Sequence, residues 1–512
     1  MKSPRLKLDF ARVYFILWGL VVGVLTGAVI SLFRLLINKM LAWFVHIDPL
    51  LRHHVWWLLA VILLVIAIGI FVGWLLHTEP NIAGSGIPQV EGQLDGELET
   101  QWWPILWKKF VAGVLSIGPG LFLGREGPSI QLGAAVGQGI AEKTSRSPIE
   151  RRVLIASGAA AGLSAAFNAP IAGTLFVLEE VYHNFSPILW ISCLASSIGA
   201  DLVSLRVFGL TPILHLTYMK SLPINQFWHL VVLGIILGLF GYLYQRVLLA
   251  MPHWYKKLIK LPRCLHGLVP LLLVIPIGMY FPKFLGGGNA IILHFNSFIP
   301  ALSVLIGLFI LRFVFSMISY GSGLPGGIFL PILSLGAVLG AIYGVIMIKL
   351  GLLPRVYLMN LIIFSMAGYF AGIGKAPFTA ILLVTEMVGS LGHLMPLAVL
   401  SLVAYMVVDI LGGAPIYNSL LSGLVATNRV EHIHHPERME VPVFLGSALS
   451  GKQVREIKWP KDMLLIAIRR GEDEVLPHGD TIVRDGDILV ILTDRSNIAK
   501  LRHKILSLSD FS

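Results

Sequence analysis

Long apolar runs alternate with short polar stretches from residue 13 to about residue 412. Several runs are shorter than the roughly 20 residues that a full membrane crossing needs, and many contain glycine or proline. Short, interrupted helices of this kind are typical of membrane transporters. The apolar runs cover residues 13–44, 55–77, 103–123, 129–142, 153–181, 186–208, 226–250, 266–281, 301–320, 328–350, 356–372 and 376–412.

The first apolar run follows a basic segment at residues 1–12. The run is too long for the core of a signal peptide, and it lacks a small-residue cleavage pattern. Positive residues favour the cytoplasmic ends of membrane helices. We therefore expect a retained first span with its basic N-terminal end in the cytoplasm.

The pattern changes after about residue 429, where apolar runs shorten and charged residues become dense. From Glu440 onward, alternating apolar and polar positions interrupted by turn residues predict a small soluble α/β unit. Its predicted elements are a strand at 441–445, a helix at 452–457, strands at 464–469 and 488–492, and a terminal helix from residue 497. The predicted organisation is a membrane domain at 1–430, a linker at 431–439 and a cytoplasmic domain at 440–512.

Composition also indicates a membrane protein with many crossings. Hydrophobic residues make up 56% of the 512 residues and charged residues 13%, whereas soluble domains carry about 25% charge. The net charge of +11 lies mostly in short polar stretches. This placement is typical of topology signals rather than nucleic-acid binding, since no basic run is interleaved with aromatic residues. Cys193 and Cys264 are too few for a disulfide framework and have no metal-ligand spacing.

The membrane part contains an internal repeat. Three pairs of segments match at nearly constant offset: 132–137 with 335–340, 124–128 with 327–331, and 168–181 with 375–388. We therefore predict two duplicated halves, at about residues 50–210 and 250–425. Substrate sites in duplicated transporters lie at the interface of the halves, between the ends of broken helices. An odd number of crossings in each half would make the repeat inverted.

Four glycine-rich or irregular stretches offer hydrogen-bond donors without a concentrated positive charge. They are 84–88 (Gly-Ser-Gly-Ile-Pro), 124–128 (Gly-Arg-Glu-Gly-Pro), 326–331 (Gly-Gly-Ile-Phe-Leu-Pro) and 416–417 (Ile-Tyr). Glycine frees backbone amides where a helix would otherwise continue, and such amides attract anions. With the hydroxyls of Ser85 and Tyr417, they suit a small anion that must bind and also leave. For any single glycine pair, close helix packing is the alternative.

Glu126, Arg125 and Lys109 are ionisable side chains in or beside apolar runs. Ionisable residues inside a membrane are costly and indicate a functional site. We expect Arg125 to anchor its loop by hydrogen bonding to carbonyl groups. We expect Lys109 to pair with an acid such as Glu91.

The three glycine-rich motifs and the late Tyr417 occur in the order, and at nearly the spacing, of the signature of the CLC family. Over about residues 10–425, the chain resembles CLC chloride channels and chloride/proton antiporters of the bacterial type. The resemblance implies an all-α membrane fold of two inverted repeats of broken, tilted helices. It also implies a homodimer with one anion pathway in each subunit, a bacterial inner-membrane location, and no cofactor besides the transported chloride and protons.

The resemblance assigns roles to single residues. It implies that Ser85, Gly86, Ile328, Phe329 and Tyr417 bind chloride. Serine rather than proline at position 85 resembles the chloride-selective members and not the nitrate exchangers. The intact first motif and Tyr417 argue against the fluoride-exporting branch.

Two carboxylates bear on whether transport is coupled to protons. The resemblance implies that Glu126 is the gating glutamate, which competes with chloride and moves aside when protonated or displaced. Glu180 matches the internal proton-transfer glutamate of many antiporters, a role that needs a group able to accept and release protons near neutral pH. A structural acid at a helix end is the alternative for Glu180. We expect that structural role for Glu179, whose repeat counterpart is Glu386.

Three functions remain open from sequence. Coupled chloride/proton antiport is favoured by the presence of both Glu126 and Glu180. A passive voltage- or ligand-gated chloride channel of the same fold is the second. An intramembrane hydrolase using Ser85 or Glu126 is the third, and it is disfavoured because no Ser-His-acid arrangement or metal motif accompanies them. We therefore do not expect an enzyme.

The C-terminal part resembles the TrkA-C domain, also called the RCK C-terminal domain, of bacterial ion transporters. The resemblance rests on residues 469–487, where turn signals separate alternating strands. It implies a dimeric cytoplasmic module that binds a small regulatory ligand, and some such modules bind cyclic dinucleotides. Arg469, Arg470 and His478 are the candidate phosphate contacts, with a solvated strand edge as the alternative.

Overall fold

The computed structural model describes most of the chain as two compact units. The described residues are 10–210, 212–214, 216, 220–427, 436–444, 447–460, 463–471, 473–494, 501 and 505. The larger unit comprises residues 10–91 and 100–421. The smaller unit comprises residues 92–99 and the described residues from 422 onward. Part of the predicted linker, residues 431–435, lies outside the described residues.

Helices dominate the larger unit, and nine of the described helical segments are long and apolar enough to cross a membrane. The helices up to residue 208 are α1 Phe10–Ile47, α2 Val55–Thr78, α3 Ile87–Asp95, α4 Trp102–Ile117, α5 Glu126–Lys143, α6 Pro148–Phe167, α7 Pro170–Phe176 and α8 Pro187–Phe208. The later helices are α9 Trp228–Leu258, α10 Leu268–Tyr280, α11 Asn289–His294, α12 Leu302–Gly321, α13 Phe329–Lys349, α14 Leu358–Gly374, α15 Pro377–Val388, α16 Leu394–Ile410 and α17 Ile416–Thr427.

The order of helices repeats. Helices α1–α8 are followed by α9–α16, and in each series the third and the seventh helices are the two shortest. The matched motifs fall on matched elements, because 124–128 and 327–331 begin α5 and α13. The duplication predicted from the sequence is therefore present in the structure.

Equivalent positions in the two halves bond to each other reciprocally. The Gly124 amide donates to the Gly327 carbonyl at 2.7 Å, and the Gly327 amide donates to the Gly124 carbonyl at 2.6 Å. The Glu179 carboxylate accepts amide hydrogen bonds at the start of α15, while the Glu386 carboxylate accepts them at the start of α7. Reciprocal contacts indicate a twofold relation. The halves are thus related by a pseudo-twofold axis.

Residues 153–181, predicted as one apolar run, are broken in the structure. Helix α6 ends at Phe167, its C-cap Asn168 has a left-handed φ of 52°, and Pro170 occupies the first turn of α7. The equivalent break follows α14, with Lys375 at φ 62° and Pro377 at the start of α15. Proline suits the first turn of a helix because its missing N–H would have no partner there. Each half therefore contains a helix start inside an apolar segment.

Glycines let α5 and α13 approach their neighbours closely. A Cβ at Gly133 or Gly137 would overlap backbone carbonyl groups of α6. At the equivalent Gly336 and Gly340, a Cβ would lie 2.5–2.7 Å from atoms of α14. Small residues at such spacing allow close packing of membrane helices. The repeated Leu-Gly-Ala motif is thus a packing motif.

The smaller unit contains an antiparallel sheet in the order β1-β4-β2-β3. The strands are β1 Pro436–Pro442, β2 Met463–Arg470, β3 Asp473–Val475 and β4 Ile488–Asp494. The sheet was predicted, although the short β3 was not, and β1 begins at Pro436, inside the predicted linker, instead of at residue 441. The predicted helix at 452–457 is a single 3-10 turn, Val454–Glu456. The predicted terminal helix lies outside the described residues, except for Leu501 and Ile505, which pack in the core of this unit.

Candidate anion-transport site

Backbone contacts bring the glycine-rich stretches of both halves together. The Gly326 amide donates to the Gly84 carbonyl at 3.0 Å, which joins the first stretch to the third. The reciprocal glycine bridge described above joins the second to the third. At Gly127, a Cβ would lie 2.7 Å from the Ser85 carbonyl oxygen, so the first and second stretches are also in contact. Three of the four predicted stretches thus meet at the interface of the halves.

A buried cation in each half binds the carbonyl groups of a glycine-rich loop. The Lys109 ammonium donates to the carbonyls of Ile82 and Gly84 at 2.8 and 2.9 Å. Arg312, 203 positions later in the sequence, donates to carbonyls within residues 284–287. Both side chains are fully buried. The same device therefore holds the equivalent loop in each half.

This arrangement corrects the expectation that Lys109 pairs with an acid such as Glu91. The Lys109 ammonium is satisfied by carbonyl dipoles instead, as a buried charge must be if it lacks a counter-charge. The lysine therefore holds the loop that carries Ser85.

Helix N-termini at the interface are of two kinds. Those of α7 and α15 are filled by Glu386 and Glu179, whose carboxylates accept amide hydrogen bonds at 2.7 and 2.8 Å. Those of α5 and α13 have Arg125 and Ile328 as N-cap residues, and neither has a side-chain cap among the described residues. An uncapped N-terminus presents free amide donors and the positive end of the helix dipole. Helices α5 and α13 thus offer anion-binding ends.

Glu126 lies between these two uncapped ends. It is fully buried at the start of α5. Its carboxylate lies against Gly124 and beside the backbone amide of Leu330, in the first turn of α13. Neither oxygen completes a well-formed hydrogen bond within the described residues. The carboxylate therefore occupies a position that attracts anions without being locked there.

Arg125, the neighbour of Glu126, anchors the loop to α1. Its Nη1 donates to the side-chain oxygen of Asn38 at 3.1 Å. The expected carbonyl partner is thus a side-chain amide from another helix.

The hydroxyls of Ser85 and Tyr417 are buried and unpaired. The two residues are 1% and 0% exposed, and neither hydroxyl has a partner within the described residues. Tyr417 lies within electrostatic range of Glu126 and Glu180. A buried hydroxyl without a partner costs about 1–3 kcal/mol. Such groups are expected where a ligand supplies the missing partner.

Aromatic rings fix the start of α13 against Tyr417. The Phe329 ring centroid lies 4.3 Å from that of Phe370 and 6.0 Å from that of Phe176. The Tyr417 ring meets Phe176 edge-on at 6.0 Å. The fourth predicted stretch, at the start of α17, therefore joins the other three through this cluster.

Glu180 lies in a π-helical turn, Val177–Val181, and is 2% exposed. It is within electrostatic range of Glu91 and Glu179. Its Oε1 atom has no partner in the described part of the chain. The π-helical conformation is rare and often occurs at functional sites. Adjacent Glu179 instead caps α15, in the structural role expected for it.

A family model described as voltage-gated chloride channel matches residues 68–409. The chain belongs to the CLC family. A curated CLC relative, the H(+)/Cl(-) exchange transporter ClcA of Vibrio parahaemolyticus, is 35% identical over 398 residues, covering 74% of this chain and 83% of the relative. The protein is therefore a multi-pass membrane protein, as its apolar helices indicate.

Solved CLC structures share the fold. The structure of a slow cyanobacterial Cl-/H+ antiporter aligns with a TM-score of 0.76 at 33% identity, covering 81% of this chain and 99% of that one. A CLC-type fluoride/proton antiporter aligns with a TM-score of 0.64 at 25% identity, covering 79% of this chain and 97% of that one. The predicted fold class, inverted repeats of broken helices with a small C-terminal α/β unit, is confirmed.

A second family model, TrkA-C, matches residues 438–506 and confirms the resemblance of the C-terminal part. In the structure, both candidate arginines already bind carboxylates. Arg469 pairs with Glu440 at 2.8 Å in an exposed position, and Arg470 donates two hydrogen bonds of 2.8 Å to the buried Asp487. His478 is exposed in a turn.

Replacing Arg470 with Met is expected to destabilise the C-terminal unit by about 2–3 kcal/mol, because Asp487 would remain buried without its main partner. Hydrogen exchange in β2 and β4 of the purified full-length protein measures this. The control is Arg469→Met, which breaks an exposed pair worth about 0–1 kcal/mol. Equal effects of the two variants would contradict the conclusion that the Arg470–Asp487 pair stabilises this unit more than the Arg469–Glu440 pair.

The Arg470–Asp487 pair also predicts a pH dependence. Burial alone would raise the pKa of Asp487, but hydrogen bonds from Arg470 and the Arg484 amide lower it below the ordinary value. A carboxylate with a lowered pKa stabilises the fold above the ordinary pKa of about 3.9, and this contribution is lost as the pH falls through the lower folded value. Arg470→Met should therefore flatten the acid dependence of exchange in β2 and β4.

Two structural devices were not predicted, namely the loop-binding Arg312 and the capping of α7 by Glu386. Their repeat counterparts, Lys109 and Glu179, were singled out individually. The repeat had already matched Glu179 with Glu386, and applying its offset of 203 positions to Lys109 would have found Arg312.

Proposed function

We propose that the protein is a chloride/proton antiporter with an anion pathway in each subunit. One observation carries the proposal: the unpaired buried hydroxyls of Ser85 and Tyr417 lie in one region with two uncapped helix ends and the buried Glu126. That donor set suits a small anion. The similar proteins named as H+/Cl− exchangers support coupled exchange over a passive channel.

Chloride would receive hydrogen bonds from the Ser85 and Tyr417 hydroxyls and from the backbone at Gly86, Ile328 and Phe329. These donors are dipoles and not full charges. An anion bound by dipoles can leave quickly, which transport requires. The nearby buried cations, bound to loop carbonyls, leave this balance intact.

Glu126 would act as the gate. Its carboxylate rests beside the first turn of α13, where the helix dipole favours negative charge. Chloride and the carboxylate therefore compete for the same attraction. Protonation removes the charge of Glu126, so the helix dipole no longer holds the side chain there. Chloride can then take the position that the carboxylate leaves, which links proton binding to chloride movement.

Glu180 would pass protons to Glu126 from the side of the membrane opposite to the one on which the Glu126 gate opens. It is buried in a π-helical turn, and Tyr417 lies in electrostatic range of both Glu180 and Glu126. A proton path through Glu180 and an anion path past Ser85 would then meet near Tyr417. Two paths that share one region allow coupling.

The assembly and regulation follow the family resemblance. We infer a homodimer in a bacterial inner membrane, with both termini in the cytoplasm and a membrane domain ending near residue 430. The TrkA-C match supports binding of a small regulatory ligand by the C-terminal domain. A cyclic dinucleotide or another small ligand would bind there. Arg469 and Arg470 could contact this ligand only by giving up their present carboxylate partners. His478 is exposed and could contact it directly.

Replacing Ser85 with Pro is expected to shift the preference from chloride toward nitrate by about tenfold, the scale of losing one hydrogen bond to a charged group. Liposome flux with each anion measures the ratio. The matched control is Ser157→Ala, which removes a buried hydroxyl that already has a protein partner, Ser192, at 2.8 Å. Unchanged selectivity in the Ser85 variant would contradict its role in chloride binding.

A further inference from the structure

A polar cavity of about 200 Å³ lies beside the Glu126 loop, at the junction of α1, α6 and α8. It is separate from the donors assigned above to the chloride site. Its lining includes Arg34, Asn38, Arg125, Asn168, Phe208 and Asn289. Two guanidinium groups therefore share one small cavity in an apolar domain.

Arg34 uses only part of its guanidinium to bind protein. Its Nη1 donates to the Asn168 side chain at 2.9 Å and to the Ala165 carbonyl at 3.3 Å, which holds the end of α6. The guanidinium carbon lies 3.9 Å from the centroid of the Phe208 ring. Its buried Nε has no partner within the described residues. The clamp on α6 thus leaves donors of Arg34 unused.

Arg125 is used in the same partial way. Its Nη1 donates to Asn38, while its buried Nε has no partner in the described part of the chain. The two arginines are within electrostatic range of each other, and Arg34 is within range of Asp201 and Glu126. Neither arginine forms an ion pair with a described carboxylate. Two like charges with unused donors around a cavity create a site for an anion.

We propose that this cavity is a second anion site, which takes chloride or a similar small monovalent anion between Arg34 and Arg125. The inference rests on the proposed transport function. It adds a site next to Glu126 where an anion binds before it enters the transport site. Arg125 directly precedes Glu126 in the chain, so an anion bound by Arg125 would lie near the proposed gating carboxylate. Full charges concentrate chloride near the gate, while the dipoles of the Ser85–Tyr417 site keep passage fast.

The site predicts that Arg34 sets the chloride concentration at which transport half-saturates. Arg34→Met should raise that concentration about tenfold, the scale of losing one charge-assisted contact, with little change at saturating chloride. Arg34→Lys keeps the charge but loses the planar donor fork stacked on Phe208, so its increase should be smaller than that of Arg34→Met. The control is Lys39→Met, which removes the same charge from an exposed position of the same helix outside the cavity.

Crystals of the full-length protein grown with bromide in place of chloride test the site directly through anomalous scattering. Wild type should show bromide between the two guanidinium groups, and Arg34→Met should lose this peak while Lys39→Met keeps it. Bromide beside Ser85 and Tyr417 reports separately on the proposed transport site. Bromide there but absent from the cavity, or a cavity peak that persists in Arg34→Met, would overturn the inference. A cavity peak without one at Ser85 and Tyr417 would support the cavity and contradict the proposed function.

Discussion

Glu126→Gln is expected to abolish proton movement while chloride still crosses the membrane. The carboxamide keeps the shape of the side chain but has neither its charge nor its acidic proton, so it mimics the protonated gate. Proton flux should fall at least about a hundredfold, the scale of losing a general acid–base group. Parallel chloride and proton recordings from liposomes with clamped voltage measure both fluxes.

The matched control for this variant is Glu142→Gln. Glu142 lies in the last turns of the same helix and pairs with Arg151 at 2.8 Å in a partly exposed position. Coupling should be unchanged there, because such pairs contribute little. Proton movement that persists in Glu126→Gln at normal chloride flux would contradict the gating role.

Glu180→Gln is expected to stop proton transfer and spare chloride flux. The side chain is buried in the π-helical turn, and one of its oxygens has no partner among the described residues. A carboxamide of the same size cannot relay a proton, so the proton flux should again fall about a hundredfold or more. The chloride donors at Ser85 and Tyr417 remain in place. The same paired recordings measure the result.

Glu179→Gln is the control in the adjacent position. Its carboxylate caps α15 by accepting from the amides of Phe378 and Thr379. The two amides donate to different carboxylate oxygens, so the carboxamide, with one acceptor oxygen, keeps one bond and loses the other together with the charge at the helix end. Stability should fall by about 1–3 kcal/mol while coupling persists. Proton transfer that survives in Glu180→Gln, or fails only in Glu179→Gln, would contradict the assignment.

Much of the fold was predictable because the two halves of the membrane part have similar sequence motifs. The match of 124–128 with 327–331 predicted the duplication, and those segments meet in the reciprocal glycine bridge. The break at Asn168 was harder to predict, since the apolar pattern runs straight through it. Its signal is local, a left-handed residue followed closely by proline, and it is repeated at Lys375.

The site was less predictable than the fold. Motif order brought Ser85, Glu126 and Tyr417 to attention, and their shared burial without partners became visible only in three dimensions. The predicted partner of Lys109, an acid such as Glu91, was wrong. A buried ammonium was expected to need a counter-charge, whereas the folded loop offers two carbonyls instead. Arg34 was missed because a single arginine in a long apolar run gives no indication of the cavity that it lines.

Proton movement in liposomes that contain the purified protein, under a chloride gradient and with the voltage clamped by an ionophore, tests coupled exchange most directly. The account predicts that the chloride gradient drives protons uphill. Chloride movement without any proton movement would contradict it, make the protein a passive channel of the same fold, and leave Glu180 as a structural acid.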